Sequence, residues 1–175
     1  FPEAHVISSQ HPTDGQACSA LLAKELIRDN DCLTISACDN VMSYSMFQFD
    51  TLIGTADALV WTFRNNPTVL QDPDMFGWVS IRENGSVDKI SCKKSISALP
   101  MLDHAVAGTF SFQRAEYFFE CVSSLLKKQR KVNGEFYLDV ALDECVKNGR
   151  KVIPLEIEEY ISLGTPLDLE NYHCL

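Results

Sequence analysis

Short apolar runs alternate along this chain with longer stretches whose apolar positions repeat at helical spacing. Residues 32–37 (CLTISA) form a short run of the kind found in buried strands, whereas residues 114–129 carry apolar positions along one side of a helix. The pattern predicts strands at residues 6–9, 32–37, 58–64, 77–82, 86–92, 105–112 and 151–156. It predicts helices at residues 16–28, 45–54, 114–129, 137–148 and 166–172.

Asn84-Gly85 separates two of the predicted strands, and this dipeptide is the strongest short signal of a β-hairpin. The remaining strands alternate with helices, which is typical of an α/β fold. We therefore expect a three-layer α/β/α sandwich with a mostly parallel, Rossmann-like sheet and one antiparallel hairpin insertion. In such sheets the ligand binds outside the carboxyl ends of the strands.

Composition narrows the classes of function. The 175 residues suit a single domain, residues 1–175, and the net charge of −9 comes without the concentrated basic face that nucleic-acid binding requires. No apolar run approaches the roughly 20 residues of a membrane span. The seven cysteines include no CxxC pair, so the spacing of a zinc site is absent. We expect most of them to be small core residues of a cytoplasmic protein with reduced thiols.

Two residues next to predicted elements carry candidate chemistry. Asp39 directly follows the strand at residues 32–37, where a carboxylate faces the ligand crevice and can hold Mg²⁺. Asp-Asn is also common turn chemistry. Gly15 opens the predicted helix at residues 16–28, where the backbone can approach a planar ligand and the helix start favours an anion. A plain helix start explains the same glycine, so the residues alone leave both interpretations open.

Taken in order, these segments resemble the sugar-phosphate nucleotidyltransferase family, with glucose-1-phosphate thymidylyltransferase-like domains as the nearest pattern. Six segments that cover most of the chain carry the resemblance: HPTDGQACSALLAKELI, ISACDN, FGWVSIRENGSVDKISCKK, AVAGTFSF, NGEFYLDVALDECVKNGRKVIPLEI and LGTPLDLENY. The first resembles the family's turn and helix at the base and ribose. The second resembles the strand that ends in the metal-binding aspartate, and the last resembles the closing Gly-Thr-Pro turn.

The resemblance implies transfer of a nucleotidyl group from a nucleoside triphosphate to a sugar 1-phosphate, with release of pyrophosphate and formation of a nucleotide sugar. It implies that Asp39 holds Mg²⁺ and that Lys94 neutralises the sugar phosphate, which makes these two the catalytic residues. It further assigns nucleotide binding to Gly15, Gln16 and Asp39, and sugar binding to Gly77, Gly108 and Glu135.

The chain also departs from the family pattern. The family opens with a Gly-rich loop that cradles the triphosphate, and no such segment precedes the matched part of this sequence. Lys93 stands where the family has the Glu of a Glu-Lys pair, and Ser162 stands near the place of a second metal-binding aspartate. We therefore expect an N-terminally truncated domain that is catalytically silent as given.

Two other functions remain open. The domain could be a catalytically inactive module that binds a sugar nucleotide or regulates an active partner. It could also be a glycosyltransferase with a similar nucleotide-binding sheet, although Cys38-Asp39-Asn40 lacks the Asp-x-Asp that such enzymes usually carry. The expected partners are a nucleoside triphosphate and a sugar 1-phosphate, with neither nucleic acid nor membrane. Self-association into a homo-oligomer stays open.

Overall fold

The structure is a computed structural model, and it describes residues 2–173. Its strands are β1 (Leu33–Ser36), β2 (Asn40–Ser43), β3 (Ala58–Phe63), β4 (Gly77–Ile81), β5 (Val87–Cys92), β6 (His104–Phe112), β7 (Val152–Glu156) and β8 (Glu159–Ser162). Its α-helices are α1 (Gln16–Leu21), α2 (Met46–Ile53), α3 (Ala115–Lys127), α4 (Leu138–Lys147) and α5 (Pro166–His173).

The main sheet has the strand order β5-β4-β6-β3-β7, and β1 also pairs with β6. Strands β1, β3, β4 and β7 run in one direction and β5 and β6 in the other, so the sheet is mixed where a mostly parallel one was expected. β6 runs the other way between them, so β3 and β7 form the parallel pair within the described residues. The β4–β5 hairpin is the predicted antiparallel insertion.

Helices cover both faces of the sheet and confirm the three-layer prediction. All six residues of β3 are buried, as expected for a strand covered on both faces. On one face Val60 and Phe110 pack in a core with Phe118 of α3 and Leu142 of α4. On the other face the alternate residues of β3 pack with Phe49 and Leu52 of α2.

A bulge interrupts β6, the central strand. Val60 of β3 pairs with Phe110, but the next paired residue, Thr62, lies opposite Val106, so three residues of β6 face one of β3. Gly108 lies in this bulge with φ 77°, a left-handed conformation that glycine adopts without strain. On the other edge of β6, β4 pairs at His104 and Ala105, whereas β1 pairs from Thr109 onwards. β1 and β4 thus share one edge of β6 and leave a gap between them at the bulge.

Some predicted elements are wrong or too long. Residues 6–9 form no strand, and Val6 is 89% exposed, because nothing packs against this apolar side chain. The helix predicted at residues 16–28 ends at Leu21 and buries only Ala17, and a short 3₁₀ turn follows. The antiparallel β2–β8 ribbon was not predicted, since its four-residue strands are too short to show a periodic pattern.

The cysteines also differ from the expectation of free core thiols. Cys121 of α3 and Cys145 of α4 form a disulfide that joins the two helices. Cys18 and Cys92 are free and partly buried, and Cys32 and Cys38 are exposed. The expectation that most cysteines are reduced core residues is therefore wrong for those described, while Cys174 lies outside the described residues. Within residues 2–173, no helix combines the length and apolar character that crossing a bilayer requires.

Buried charges tie α4 to the end of α3 and the segment after it. Glu144 is 1% exposed and accepts hydrogen bonds from Ser124, Lys128 and Arg130. Burial raises the pKa of Glu144, but these donors outweigh burial and lower the pKa to about 2. The neighbouring Asp143 is 2% exposed and takes charged partners from Arg130 and Lys147 and the backbone N–H of Ile90. Arg130 is the cation that both carboxylates share.

Replacing Arg130 with Met should therefore destabilise the domain strongly. Without Arg130, the buried Asp143 and Glu144 retain Lys147 and Lys128 but lose the cation that they share, at a cost of up to about 3 kcal/mol. Urea denaturation at pH 7 measures this free energy of unfolding. The control is Lys127→Met, on the exposed surface of α3, which should change it by less than about 0.5 kcal/mol. Equal effects of the two variants would contradict a structural role for the Arg130 network.

Candidate functional site

A cleft of about 280 Å³ opens where β1 and β4 diverge on the same edge of β6. Ala107 and Gly108 line it from β6, Ala37 lines it from the end of β1, and Gly77 lines it from the start of β4. A Cβ at Gly108 would lie 3.1 Å from that of Ala37, so glycine lets the end of β1 pack closely here. The cleft therefore lies at the carboxyl end of β1, as ligand sites of α/β sheets do.

Asp39 lines the cleft just beyond β1. Its carbonyl accepts a hydrogen bond of 2.8 Å from the N–H of Leu163, and the β2–β8 ribbon begins with the pair Asn40–Ser162. A Cβ built on Gly164 would lie 3.3 Å from the Asp39 carboxylate. The ribbon thus brings the Gly-Thr-Pro turn beside Asp39, although the two are far apart in sequence.

Asp168 lies on the same side of the cleft, although it is not among the site residues predicted from the sequence. Its Oδ2 accepts hydrogen bonds from the Ser162 hydroxyl at 2.9 Å and from the Thr165 N–H at 3.0 Å. The Asp168 N–H donates in return to the Thr165 hydroxyl, so Thr165 and Asp168 form a capping box at the start of α5. The Thr-x-x-Asp spacing is the signal that could have located this carboxylate.

These two carboxylates flank the Gly-Thr-Pro turn and are the candidate ligands for a divalent cation, while Asp72 and Asp139 line other parts of the cleft. Among the described residues, no group of three His, Cys, Asp or Glu side chains could hold a metal ion. Asp39 is exposed, and both hydrogen bonds to Asp168 end on Oδ2. The donor set fits Mg²⁺, which commonly takes one or two carboxylates and completes its shell with water and phosphate oxygens.

Tyr160 packs against this acidic side of the cleft. Its ring stacks on Phe63 with centroids 4.0 Å apart. Burial and the negative charge of Asp39 raise the pKa of Tyr160 to about 12, although a hydrogen bond with Ser162 opposes the change. The phenol consequently stays protonated at neutral pH and serves as a neutral hydrogen-bonding group in the cleft wall.

Lys93 supplies a cation on another part of the wall. Its Nζ donates a hydrogen bond to the Met75 carbonyl and lies 5.8 Å from the centre of the Tyr137 ring. Lys93 has φ 54°, a left-handed conformation, so the alternation of side chains between the two faces of β5 ends at Cys92. Lys94, to which the family resemblance gave the phosphate, is exposed and is not among the residues that line the cleft. The structure thus brings the neighbouring lysine to the site.

Asp139 lines the cleft from the first turn of α4 and is 8% exposed. A Cβ on Gly77 would lie 2.4 Å from its Oδ2, so the carboxylate fills the space that a side chain at Gly77 would need. Burial raises the pKa of Asp139 to about 6, although the hydrogen bond with Cys92 and the charge of Lys93 oppose the change. The sequence carries no local signal for this residue.

The other predicted site residues divide between the cleft and its surroundings. Gln16 lines the cleft, but Gly15 packs on the backbone of Phe136, where a Cβ would lie 2.8 Å from both N and O. Glu135 is exposed and hydrogen bonds to the side chain of Tyr137, which does line the cleft. The structure therefore brings Gln16, Asp39, Gly77 and Gly108 together and leaves Gly15, Lys94 and Glu135 outside the lining.

Among the solved structures that resemble the chain in fold are two nucleotide-transferring enzymes. A nucleoside-diphosphate-sugar pyrophosphorylase from Vibrio cholerae RC9 matches 94% of this chain and 67% of its own, with a TM-score of 0.73 and 20% identity. An inositol-1-phosphate CTP transferase from T. maritima matches 91% of this chain and 60% of its own, with a TM-score of 0.65 and 16% identity. No family model matches the sequence, and no curated protein does. The likenesses confirm a fold of the sugar-phosphate nucleotidyltransferase kind.

Asp139 should make stability depend on pH in an identifiable way. Because its folded pKa of about 6 lies above the ordinary aspartate value of 3.8, the folded state binds the proton more tightly than the unfolded state does. This contribution to stability is full below about pH 4, falls as pH rises to 6, and stays low above it. At pH 7.5, Asp139→Asn should therefore unfold at a higher urea concentration than the parent. Its free energy of unfolding should be larger by up to about 3 kcal/mol.

The same comparison at pH 4 should show the two proteins converging. Asp88→Asn, in the exposed part of the β4–β5 hairpin, is the matched control and should show no such pH-dependent difference. A constant difference between Asp139→Asn and the parent across this range would contradict a raised pKa.

Proposed function

We propose that this chain carries the sugar-phosphate side of a nucleotidyltransferase site. The proposed reaction joins a nucleoside triphosphate and a sugar 1-phosphate: a phosphate oxygen of the sugar attacks the α-phosphorus, and pyrophosphate leaves. The supporting observation is that Gln16, Asp39, Gly77 and Gly108, from four separate segments, line one cleft. The fold shared with a nucleoside-diphosphate-sugar pyrophosphorylase and an inositol-1-phosphate CTP transferase supports the same assignment.

Each residue has a proposed part that follows from its chemistry. Asp39 and Asp168 are the residues that would hold Mg²⁺, which when bound neutralises phosphate charge. Gln16, beside the start of α1, offers an amide to the nucleotide base or ribose. Gly77 and Gly108 let Asp139 and Ala37 pack against the backbone of the cleft wall, because a Cβ at either position would need space that those side chains occupy.

Lys93 is the proposed cation for the sugar phosphate, in place of Lys94. Phosphoryl and nucleotidyl transfer depends mainly on positioning and on neutralising charge, so the cation must reach the cleft. Lys93 lines the cleft, and Lys94 is exposed outside its lining. The two adjacent lysines thereby provide a matched pair of variants.

Lys93→Met should weaken binding of a sugar 1-phosphate about tenfold or more, because a charge-assisted hydrogen bond is lost. Lys94→Met should change the dissociation constant by less than about twofold, as expected of an exposed charge. Calorimetric titration of each variant with the tightest-binding sugar 1-phosphate measures both. A larger loss with Lys94→Met would instead support the role that the family resemblance gives that residue.

Asp39→Asn should abolish Mg²⁺-dependent pyrophosphate release in the whole protein. The expected loss is at least about 100-fold, because charge stabilisation of the reacting phosphates is usually the largest contribution to catalysis. The assay uses a panel of nucleoside triphosphates and sugar 1-phosphates. Asp50→Asn, on an exposed position of α2, is the control and should retain activity. Near-parental turnover by Asp39→Asn would rule out its metal role.

The same assays separate the alternative functions. Tight binding of a nucleotide sugar without pyrophosphate release in the whole protein would identify an inactive binding or regulatory module. Transfer of sugar to an acceptor with release of a nucleoside diphosphate would identify a glycosyltransferase. Either result would overturn the proposed reaction while leaving the cleft as the binding site.

A further inference from the structure

Helix α4 carries three acidic residues of unusual burial: Asp139, Asp143 and Glu144 are all less than 9% exposed. Asp143 and Glu144 take hydrogen bonds from cations and from neutral donors, so their burial is compensated. Within residues 2–173, Asp139 hydrogen bonds only to the thiol of Cys92. It is also the only one of the three that lines the cleft.

A thiol is a poor partner for a buried carboxylate. An ionised carboxylate has about four lone-pair sites, whereas a thiol offers one weak donor. Buried polar groups that lack partners are costly, so each one in a folded protein calls for a physical explanation. Lys93 faces the same region, but its Nζ donates to the Met75 carbonyl. Asp139 therefore has unused acceptor capacity at the wall of a ligand-sized cleft.

Gly77 makes this acceptor accessible from the cleft. Both residues line the cavity, and the Asp139 Oδ2 lies in the space that any side chain at Gly77 would fill. A ligand ring lying over Gly77 would thus meet the backbone, the Asp139 carboxylate and a methyl group of Val106. Glu135, to which the family resemblance gave a sugar contact, lies four residues before Asp139 and precedes α4. It is exposed and does not line the cleft.

We infer that Asp139 is a specificity-determining residue that accepts a hydrogen bond from a hydroxyl or ammonium group on the ring of a bound sugar phosphate. This inference rests on the proposed function. The simpler role is structural: Asp139 lies in the first turn of α4, where a negative charge is favourable, and it holds Cys92. A structural role alone predicts no preference among ligands, which makes discrimination between ligands the decisive measurement.

The experiment is calorimetric titration of the 175-residue chain with Mg²⁺ present. The probes are the 1-phosphates of glucose, galactose, mannose and N-acetylglucosamine, and then the monodeoxy analogues of the tightest binder. In the parent protein, at least one analogue should bind on the order of 10- to 100-fold more weakly than its parent sugar, as expected when a charged acceptor loses its donor. In Asp139→Ala, this ratio should fall to below about threefold.

Three further variants sharpen the result. Asp139→Asn keeps the shape and leaves a neutral acceptor, so its discrimination should lie between those of the parent and Asp139→Ala. Gly77→Ala pushes a methyl group into the carboxylate and should also reduce discrimination. Asp88→Asn is the exposed control and should discriminate as the parent does. Circular dichroism and thermal melting establish which variants are folded.

Glucosamine 1-phosphate distinguishes the two donor types. Tighter binding of this probe than of glucose 1-phosphate, lost in Asp139→Asn, identifies an ammonium donor, and equal binding identifies a hydroxyl.

If every monodeoxy analogue binds the parent protein as tightly as its sugar, the inference is overturned even if all variants unfold. If no sugar phosphate binds, the inference and the proposed function fail together. Asp139-dependent discrimination without pyrophosphate release would retain the inference and overturn only the proposed reaction.

Discussion

The bulge at Gly108 determines where the cleft can form. β6 pairs with β3 along one edge. Along its other edge it pairs with β4 near His104 and with β1 from Thr109 onwards. A regular strand would align these neighbours without a gap. With φ 77° at Gly108, β6 changes partner within a few residues, and the end of β1 packs close to the bulge. The position of Asp39 beside the gap follows from this change of partner.

Charge burial on α4 shows two different uses of the same residue type. Asp143 and Glu144 are each surrounded by donors that make the ionised form stable in the core, and they join α3, α4 and β5. Asp139 has a single thiol partner, and burial raises its pKa to about 6 because that hydrogen bond and the charge of Lys93 only partly oppose the effect of burial. One helix thus stabilises the domain at its middle and exposes a poorly compensated acceptor to the cleft at its first turn.

The sequence predicts the features that local pattern controls. The buried strands, the hairpin at Asn84-Gly85 and the position of Asp39 after β1 all depend on short segments, and the structure contains each of them. Asp139 could not be found in this way, because its environment comes from Gly77 and Cys92, which are distant in sequence. Lys93, and not the predicted Lys94, lines the cleft. The positive φ of Lys93 breaks the strand pattern at this point, and apolar periodicity does not reveal it. The Cys121–Cys145 disulfide depends equally on tertiary contact between two helices.

The β2–β8 ribbon has a further consequence for the stability of the site. It contains four residue pairs, and a two-stranded ribbon of that length has little stability of its own. Residue 39 and the turn after Ser162 are held together largely by this ribbon, outside the main sheet. The ribbon can open locally at a much lower free energy than unfolding of the core. Such opening would separate Asp39 from Asp168 while the main sheet stays folded, so the acidic side of the cleft is less stable than its floor.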